Sequence, residues 1–233
     1  IRKDIKAIHV HRLESDEYLV TLARVFPDLA MPKSDEPDVL TWLIRANGDR
    51  FPIFANRRLP APLGWYWVPW GLAFQLVKEK DLPRLAALRQ ANDALWNNFH
   101  DPTKGILSRY NHLMLADVRD VYAASRIVYG KVLLRGNVLV AAREQFDEAV
   151  RLGGDTHLPD AYTYAGLTAM FEGKCEDALR AFANARKVSL SRDTTLTLYE
   201  SALARDCQKN PGLAQELLEQ YEKEKQATEI PLE

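Results

Sequence analysis

The first third of the chain alternates short strand-like and helix-like patterns. Residues 4–11 alternate in hydrophobicity and are rich in β-branched side chains, which predicts a strand. Apolar residues then recur every three or four positions after Ser15 and again after Asp38, which predicts two helices with these residues as N-caps. The second helix is predicted to end at the pair Asn47-Gly48.

Two further apolar segments complete this region. The short run at 51–55 predicts a strand, and the stretch 65–78 predicts one or two more strands, with a break at Pro69. Residues 1–80 are therefore interpreted as a small α/β unit.

From residue 81 onward the hydrophobic pattern has the period of an α-helix, and the composition shifts to Ala, Leu, Arg and Gln. We expect a helical connector or cap over 81–117, a helical array over 118–225 and a frayed tail over 226–233. The predicted fold class is therefore α+β, with most of the chain helical.

The helical array contains an internal repeat of 36 residues. Between residues 159 and 190, two short helices are expected on either side of a tight turn at Glu172-Gly173. Small and aromatic residues occupy fixed places in this unit, namely Tyr162, Ala165, Gly166, Ala178, Phe182 and Ala185. The corresponding places one period earlier hold Gly130, Ala142, Phe146 and Ala149. One period later they are filled more loosely, by Ala202, Ala214, Leu218 and Tyr221.

This pattern resembles the tetratricopeptide repeat, a stack of antiparallel helix pairs. The resemblance implies three units whose first helices line a binding surface. The residues expected on that surface are Ile127, Lys131, Leu134, Arg135, Thr163, Leu167, Met170, Tyr199, Leu203 and Asp206. Members of the family that clamp a terminal carboxylate carry Lys and Asn where Ile127, Thr163 and Tyr199 stand here. The mixed, partly apolar surface is instead expected to bind a helix or an extended peptide of a partner protein.

Several short motifs in residues 1–80 carry a second resemblance. They are Arg2-Lys3-Asp4-Ile5, Tyr18, Trp42 with Asn47 and Arg50, the strand Phe51-Pro52-Ile53-Phe54, and the stretch from Val68 to Leu76. These motifs are similar to the segment after the last membrane span in bacterial polytopic membrane proteins related to protein O-mannosyltransferases. Many of those proteins end in tetratricopeptide repeats. The sequence departs from the family pattern by the insertion of Phe51 between Arg and Pro.

The second resemblance implies a non-catalytic, extracytoplasmic C-terminal region of a membrane glycosyltransferase-like protein. The family's acidic catalytic residues lie near its first membrane spans, so we expect no catalytic residue and no cofactor here. The partner would be an acceptor protein, another protein, or the membrane domain of the same full-length chain. Because the chain begins with Ile1, almost directly before a predicted strand, we expect it to be excised from a longer protein. The alternative is a free-standing cytoplasmic adaptor that binds a peptide or helix.

Charge and metal-ligand spacing narrow the choice of partners. The 233 residues include 31 basic and 32 acidic side chains, which gives no electrostatic basis for binding nucleic acid or an anionic membrane. His9 and His11 share a strand face, but no further ligand follows at a recognised spacing, so no metal site is expected. Cys175 and Cys207 fall at the same end of the array, which allows either a disulfide or two half-buried thiols.

Three of the five tryptophans, Trp65, Trp67 and Trp70, fall within six residues. Three interpretations stay open for this cluster: the core of the small unit, an interface with a partner or a membrane domain, and stacking on a sugar ring. A carbohydrate-active unit built on these tryptophans is a third candidate function. The sequence offers no convincing acid–base pair to support it.

Overall fold

The computed structural model describes residues 8–9, 24, 27–28, 30, 38–105, 113–153, 157–189 and 194–228. The chain divides into two compact units, Ile1–Phe99 and His100–Glu233, each considered by itself. The first contains the strands and the second is helical, so the predicted α+β class with a mostly helical chain is confirmed. The helix predicted after Ser15 lies almost entirely outside the described residues.

A four-stranded sheet forms the centre of the first unit. Its strands are β1 (Ile8–His9), β2 (Ile53–Ala55), β3 (Trp65–Trp70) and β4 (Ala73–Lys78). Their order is β1-β2-β4-β3, with β1 parallel to β2 and the other two pairs antiparallel.

The break in the 65–78 stretch falls later than predicted. Pro69 lies within β3 and pairs with Phe74, and the turn between the strands is at Gly71-Leu72. Because β3 is an edge strand of the described sheet, the missing proline N–H does not interrupt a ladder on both sides.

Helix α1 (Val39–Asn47) packs on this sheet. The Asp38 carboxylate accepts a hydrogen bond from the Thr41 N–H at 3.0 Å, which confirms the predicted N-cap and lowers the pKa of Asp38. The buried core shared by helix and sheet consists of Leu43, Ile44, Phe51, Ile53, Ala55 and Leu76.

The end of α1 is held by close packing and not by a left-handed glycine. Gly48 has φ −64°, an ordinary helical value. A Cβ at Gly48 would overlap the indole ring of Trp65, so the glycine allows the helix end to approach this ring. Asn47, predicted to lie just past the helix, is its last residue and is buried. The Asn47 side chain bonds the Ala30 N–H and C=O at 2.8 and 2.9 Å.

Helix α2 (Leu85–Asn98) follows a 3₁₀ turn at Glu79–Asp81 and belongs to the first unit. Buried Asn92 accepts a hydrogen bond from the Gly71 N–H at 2.9 Å and donates one to the Pro69 carbonyl at 3.0 Å. One side chain therefore satisfies two backbone groups at the β3–β4 turn, which ties the helix to the sheet.

The second unit contains six helices in its described part. They are α3 (Leu113–Arg135), α4 (Leu139–Leu152), α5 (Leu158–Phe171), α6 (Cys175–Val188), α7 (Thr194–Asp206) and α8 (Pro211–Thr228). They pack as the pairs α3–α4, α5–α6 and α7–α8, and α4 contacts α5 as α6 contacts α7. This arrangement of packed adjacent pairs is compatible with a helical repeat array.

A contact between a glycine and a phenylalanine closes each of the first two pairs. A Cβ at Gly130 would lie 2.6 Å from Cε1 of Phe146, and a Cβ at Gly166 would lie 2.5 Å from Cε1 of Phe182. Both rings are buried. The 36-residue period therefore places the same backbone-to-ring contact in both pairs.

The turns inside the pairs show where the period changes. In the first two pairs a backbone N–H donates to the carbonyl five residues earlier, from Val138 to Leu133 (2.9 Å) and from Lys174 to Ala169 (2.8 Å). In the third pair the Asn210 N–H donates to the Ala204 carbonyl, six residues earlier, at 2.9 Å. The third turn therefore contains one additional residue.

Helix α7 is displaced by one residue relative to the period, and the additional residue after it restores the period in α8. The burial pattern of α7 matches that of α5 at an offset of 35 residues, whereas buried Ala214 in α8 still matches Ala178 at 36. Ser201, and not Ala202 as predicted, therefore occupies the place of Gly166. The Ser201 hydroxyl donates to the Ala214 carbonyl at 3.0 Å.

We expect Gly166→Ala to destabilise the second unit by about 1–3 kcal/mol, because the added Cβ overlaps a buried ring. Gly212→Ala is the matched control. Its Cβ would lie 3.6 Å from Asn210 Oδ1, and alanine favours helix over glycine by about 0.5–1 kcal/mol. Urea unfolding should therefore show a loss of stability for the first variant and none for the second. Equal unfolding midpoints would contradict the packing described here.

Candidate peptide-binding face

One side of α3, α5 and α7 has no buried residue among the side chains that the structure describes, and it forms the candidate site. Positions i, i+4, i+7 and i+11 of a helix lie along one stripe. In α5 this stripe is Asp160, Tyr164, Leu167 and Phe171. In α3 it is Ala124, Val128, Lys131 and Arg135, and in α7 it is Thr195, Tyr199, Ala202 and Asp206. All twelve side chains are exposed or half-exposed. We call this surface the first-helix face.

Polar and aromatic contacts join the three helices across this face. The Lys131 Nζ lies 3.0 Å from Asp160 Oδ2 and 4.0 Å from the ring centroid of Tyr164. The rings of Tyr164 and Tyr199 meet edge to face, with centroids 6.4 Å apart. A side chain from each helix therefore contributes to one continuous surface.

The apolar part of the face is concentrated on α5. Phe171 is 62% exposed, although it is a large apolar side chain. Half-exposed Leu167 lies one turn earlier on the same stripe. A protruding aromatic ring beside an aliphatic side chain is typical of the anchor points of protein interfaces.

Charged residues end the stripes of α3 and α7. Arg135 is exposed in the last turn of α3. Asp206 is exposed at the end of α7 and forms two hydrogen bonds with Arg205, at 2.7 and 2.9 Å. The guanidinium of Arg205 holds the pKa of Asp206 below its usual value.

The structure brings part of the predicted binding set together on this face. Five of the predicted residues lie on it, namely Lys131, Arg135, Leu167, Tyr199 and Asp206. Leu134 and Met170 have the same intermediate exposure as Leu167 but lie beside the stripes, and Met170 packs against a core cluster. Ile127, Thr163 and Leu203 are 3%, 2% and 3% exposed, so these three side chains contact their own chain.

The difference has a simple geometric cause. The row through Ile127 and Thr163 lies one residue before the exposed row, and one residue corresponds to about 100° around a helix. Leu203 is buried because α7 is displaced by one residue. Leu203 therefore takes the place that Thr168 holds in α5, and not the place of Leu167. Tyr164 and Phe171 were missed, although their spacing from Asp160 was visible in the sequence.

A groove of about 240 Å³ lies between α4, α5 and α6, and is lined in part by Arg143, Asp147 and Asp177. Arg143 forms ion pairs with Glu172 at 2.9 Å and with Asp177 at 2.8 Å. Much of the polar lining of the groove is therefore engaged in ion pairs between the helices. Burial raises the pKa of Asp147. The volume is below the range usual for small-molecule sites.

A disulfide joins Cys175, the first residue of α6, to Cys207, which follows α7. The two alternatives left open by the sequence are thus resolved in favour of the bond. It crosses the junction between the second and third pairs, where α6 and α7 touch less extensively than α4 and α5. Arg186 adds a contact to Glu200 and a hydrogen bond to Thr197 at 3.1 Å. The first-helix face crosses the same junction.

The tryptophan cluster takes part in the core of the first unit. Trp65 and Trp67 pack against the cluster between α1 and the sheet, and the Trp67 indole N–H donates to the Leu59 carbonyl at 2.7 Å. The rings of Trp70 and Phe54 are 6.5 Å apart. These contacts support the core interpretation over sugar stacking.

The described residues include no group of three or more His, Cys, Asp or Glu side chains that could hold a metal ion. His11 and the side chain of His9 lie outside that part of the chain. None of the described helices combines the length and the apolar character needed to cross a bilayer.

We expect removal of the disulfide to lower the stability of the second unit by about 3–4 kcal/mol, because the bond closes a loop between residues 32 positions apart. Urea unfolding with and without a reductant measures this effect, and mass spectrometry of alkylated protein verifies reduction. The variant Cys175→Ser/Cys207→Ser is the control, whose midpoint should not respond to the reductant. An unchanged midpoint in fully reduced wild-type protein would refute a stabilising role.

Comparisons with protein-family models, with curated proteins and with solved structures found no match. The function is therefore inferred from the first-helix face and from the disulfide.

Proposed function

We propose that this chain is a non-catalytic protein-interaction region whose first-helix face binds a segment of a partner protein. The observation that carries the proposal is the stripe of half-exposed Tyr164 and Leu167 and exposed Phe171 on one side of α5. Peptide segments are commonly recognised by such apolar surfaces with polar margins. A partner helix or extended peptide would cover the Phe171 ring.

We assign the helix pairs to the tetratricopeptide type. Two features support this assignment: the glycine-to-ring contact that recurs after 36 residues, and the turns at Asn137 and Gly173, whose φ angles are 58° and 73°. Arrays of this type expose the side of their first helices for binding.

The location we propose is extracytoplasmic, within the C-terminal region of a membrane glycosyltransferase-like protein related to protein O-mannosyltransferases. The motifs of the first 80 residues support it, as does the disulfide, because such bonds persist in oxidising compartments. The partner would be an acceptor protein, another protein or the membrane domain of the same full-length chain.

The alternative is a free-standing cytoplasmic adaptor that uses the same face, in which the two cysteines would be reduced thiols. Rapid alkylation of thiols in intact cells distinguishes the two locations. The proposed location requires that Cys175 and Cys207 resist alkylation until a reductant is added. Labelling of both thiols without a reductant would favour the cytoplasmic adaptor.

The face itself is tested by selecting peptides from a displayed random library with the wild-type chain. We expect Leu167→Ala/Phe171→Ala to lower the affinity for the selected peptides by at least about tenfold, since buried apolar anchors dominate such interfaces. Val140→Ala is the control, because Val140 is 68% exposed on α4 and lies outside the face. Fluorescence polarisation measures the affinities, and urea unfolding verifies that both variants are folded.

Two results would contradict the proposed binding. One is a library that yields no binding peptide. The other is a set of selected peptides that bind the Leu167→Ala/Phe171→Ala variant and the Val140→Ala control with equal affinity.

A further inference from the structure

The first helices present a row of residues at their C-terminal ends. Arg135, Phe171 and Asp206 occupy corresponding places in α3, α5 and α7, and all three are exposed. The turn after α7 lies at the same end and contains exposed Lys209. An aromatic ring is therefore flanked by charged groups on both neighbouring helices.

The charges on this row are predominantly basic. No described residue forms an ion pair with Arg135 or with Lys209. Asp206 is neutralised by its two hydrogen bonds with Arg205, and Lys209 also acts on it electrostatically. Exposed positive charge that forms no ion pair with a described residue thus lies at the end of α3, with Arg135, and in the turn after α7, with Lys209.

Elsewhere on the face, a basic side chain is already paired with an acidic one. Lys131 is engaged by Asp160 at 3.0 Å and by the Tyr164 ring, so its charge is already compensated. Asp160 marks the N-terminal end of the α5 stripe. The uncompensated positive charge is therefore confined to the end that carries Phe171.

We propose that the partner is an acidic segment in extended conformation, with an apolar side chain on Phe171 and a carboxylate on each side of it. This inference rests on the proposed function of the same face. One carboxylate would pair with Arg135 and the other with Lys209. Electrostatic complementarity of this kind selects the partner and orients it across the helices.

Helix spacing sets the distance between these groups in the partner. Neighbouring first helices contact each other, and packed helices are about 8–10 Å apart. An extended chain advances about 3.3 Å per residue, so one step between helices takes about three residues. The partner pattern is therefore an acidic residue about three positions before an apolar residue, and another about three positions after it.

A displayed library with a central Leu and randomised positions on both sides tests the pattern. We expect wild-type protein to enrich Asp or Glu about three positions from the Leu on each side. Selected peptides should bind at least roughly tenfold more weakly when salt rises from about 0.05 M to about 0.5 M, because ions screen exposed pairs. Arg135→Glu/Lys209→Glu should instead enrich Lys or Arg at those positions.

Lys187→Glu is the matched control, because Lys187 is exposed in the last turn of α6 and lies outside the face. It should select the same acidic peptides as wild-type protein. Peptides that bind without acidic enrichment would overturn this inference and leave the proposed function standing. The inference would also fail if the Arg135→Glu/Lys209→Glu variant kept the wild-type preference. If no peptide bound at all, the proposed function would fail as well.

Discussion

The close contact between helix backbone and buried phenylalanine ring determines the geometry of the second unit. At Gly130 and Gly166 the absence of a Cβ lets the rings of Phe146 and Phe182 lie directly against the first helix of each pair. This contact fixes which side of the helix is turned inward. The side that carries Tyr164, Leu167 and Phe171 is then turned outward, so the exposed face follows from the position of a glycine.

The third pair is closed by different contacts. Ser201 replaces the glycine and uses its hydroxyl to satisfy the Ala214 carbonyl, while Leu218 stands in the place of the aromatic ring and is partly exposed. Packing alone therefore holds this pair less firmly. The disulfide and the contacts of Arg186 lie where the third pair meets the second, and they supply covalent and polar links at that junction.

Local signals made much of the fold predictable. The helices and turns of the array were visible because the apolar period and the turn residues Asn137 and Gly173 act over short distances. The N-cap at Asp38 was visible for the same reason, and the start of α8 at Pro211, after the capping residue Asn210, follows from a local signal of the same kind.

The parts that could not be predicted depend on distant partners. Strand β3 can contain Pro69 because it lies at the edge of the described sheet. The residues of β3 alone do not reveal that position. Position 48 requires a residue without a Cβ because the ring of Trp65, 17 positions later, packs against it. The pairing of Cys175 with Cys207 depends on the packing of two helix pairs. The row through Ile127 and Thr163 was placed one residue before the exposed row, a difference that hardly affects a helix prediction and moves a binding surface by about 100°.

The additional residue in the turn between α7 and α8 has a consequence for how such a surface can evolve. A point substitution changes one side chain of the face, whereas a one-residue shift of register, compensated in the following turn, rotates an entire helix in phase. Tyr199 thereby takes the place on the surface that Glu200 would hold at the strict 36-residue period. In the same way Ala202 takes the place of Leu203, although no side chain of the helix has been altered. One codon lost before a helix and one gained after it can therefore exchange a whole column of contact residues, and descendants of one repeat can differ in specificity while their sequences stay nearly the same.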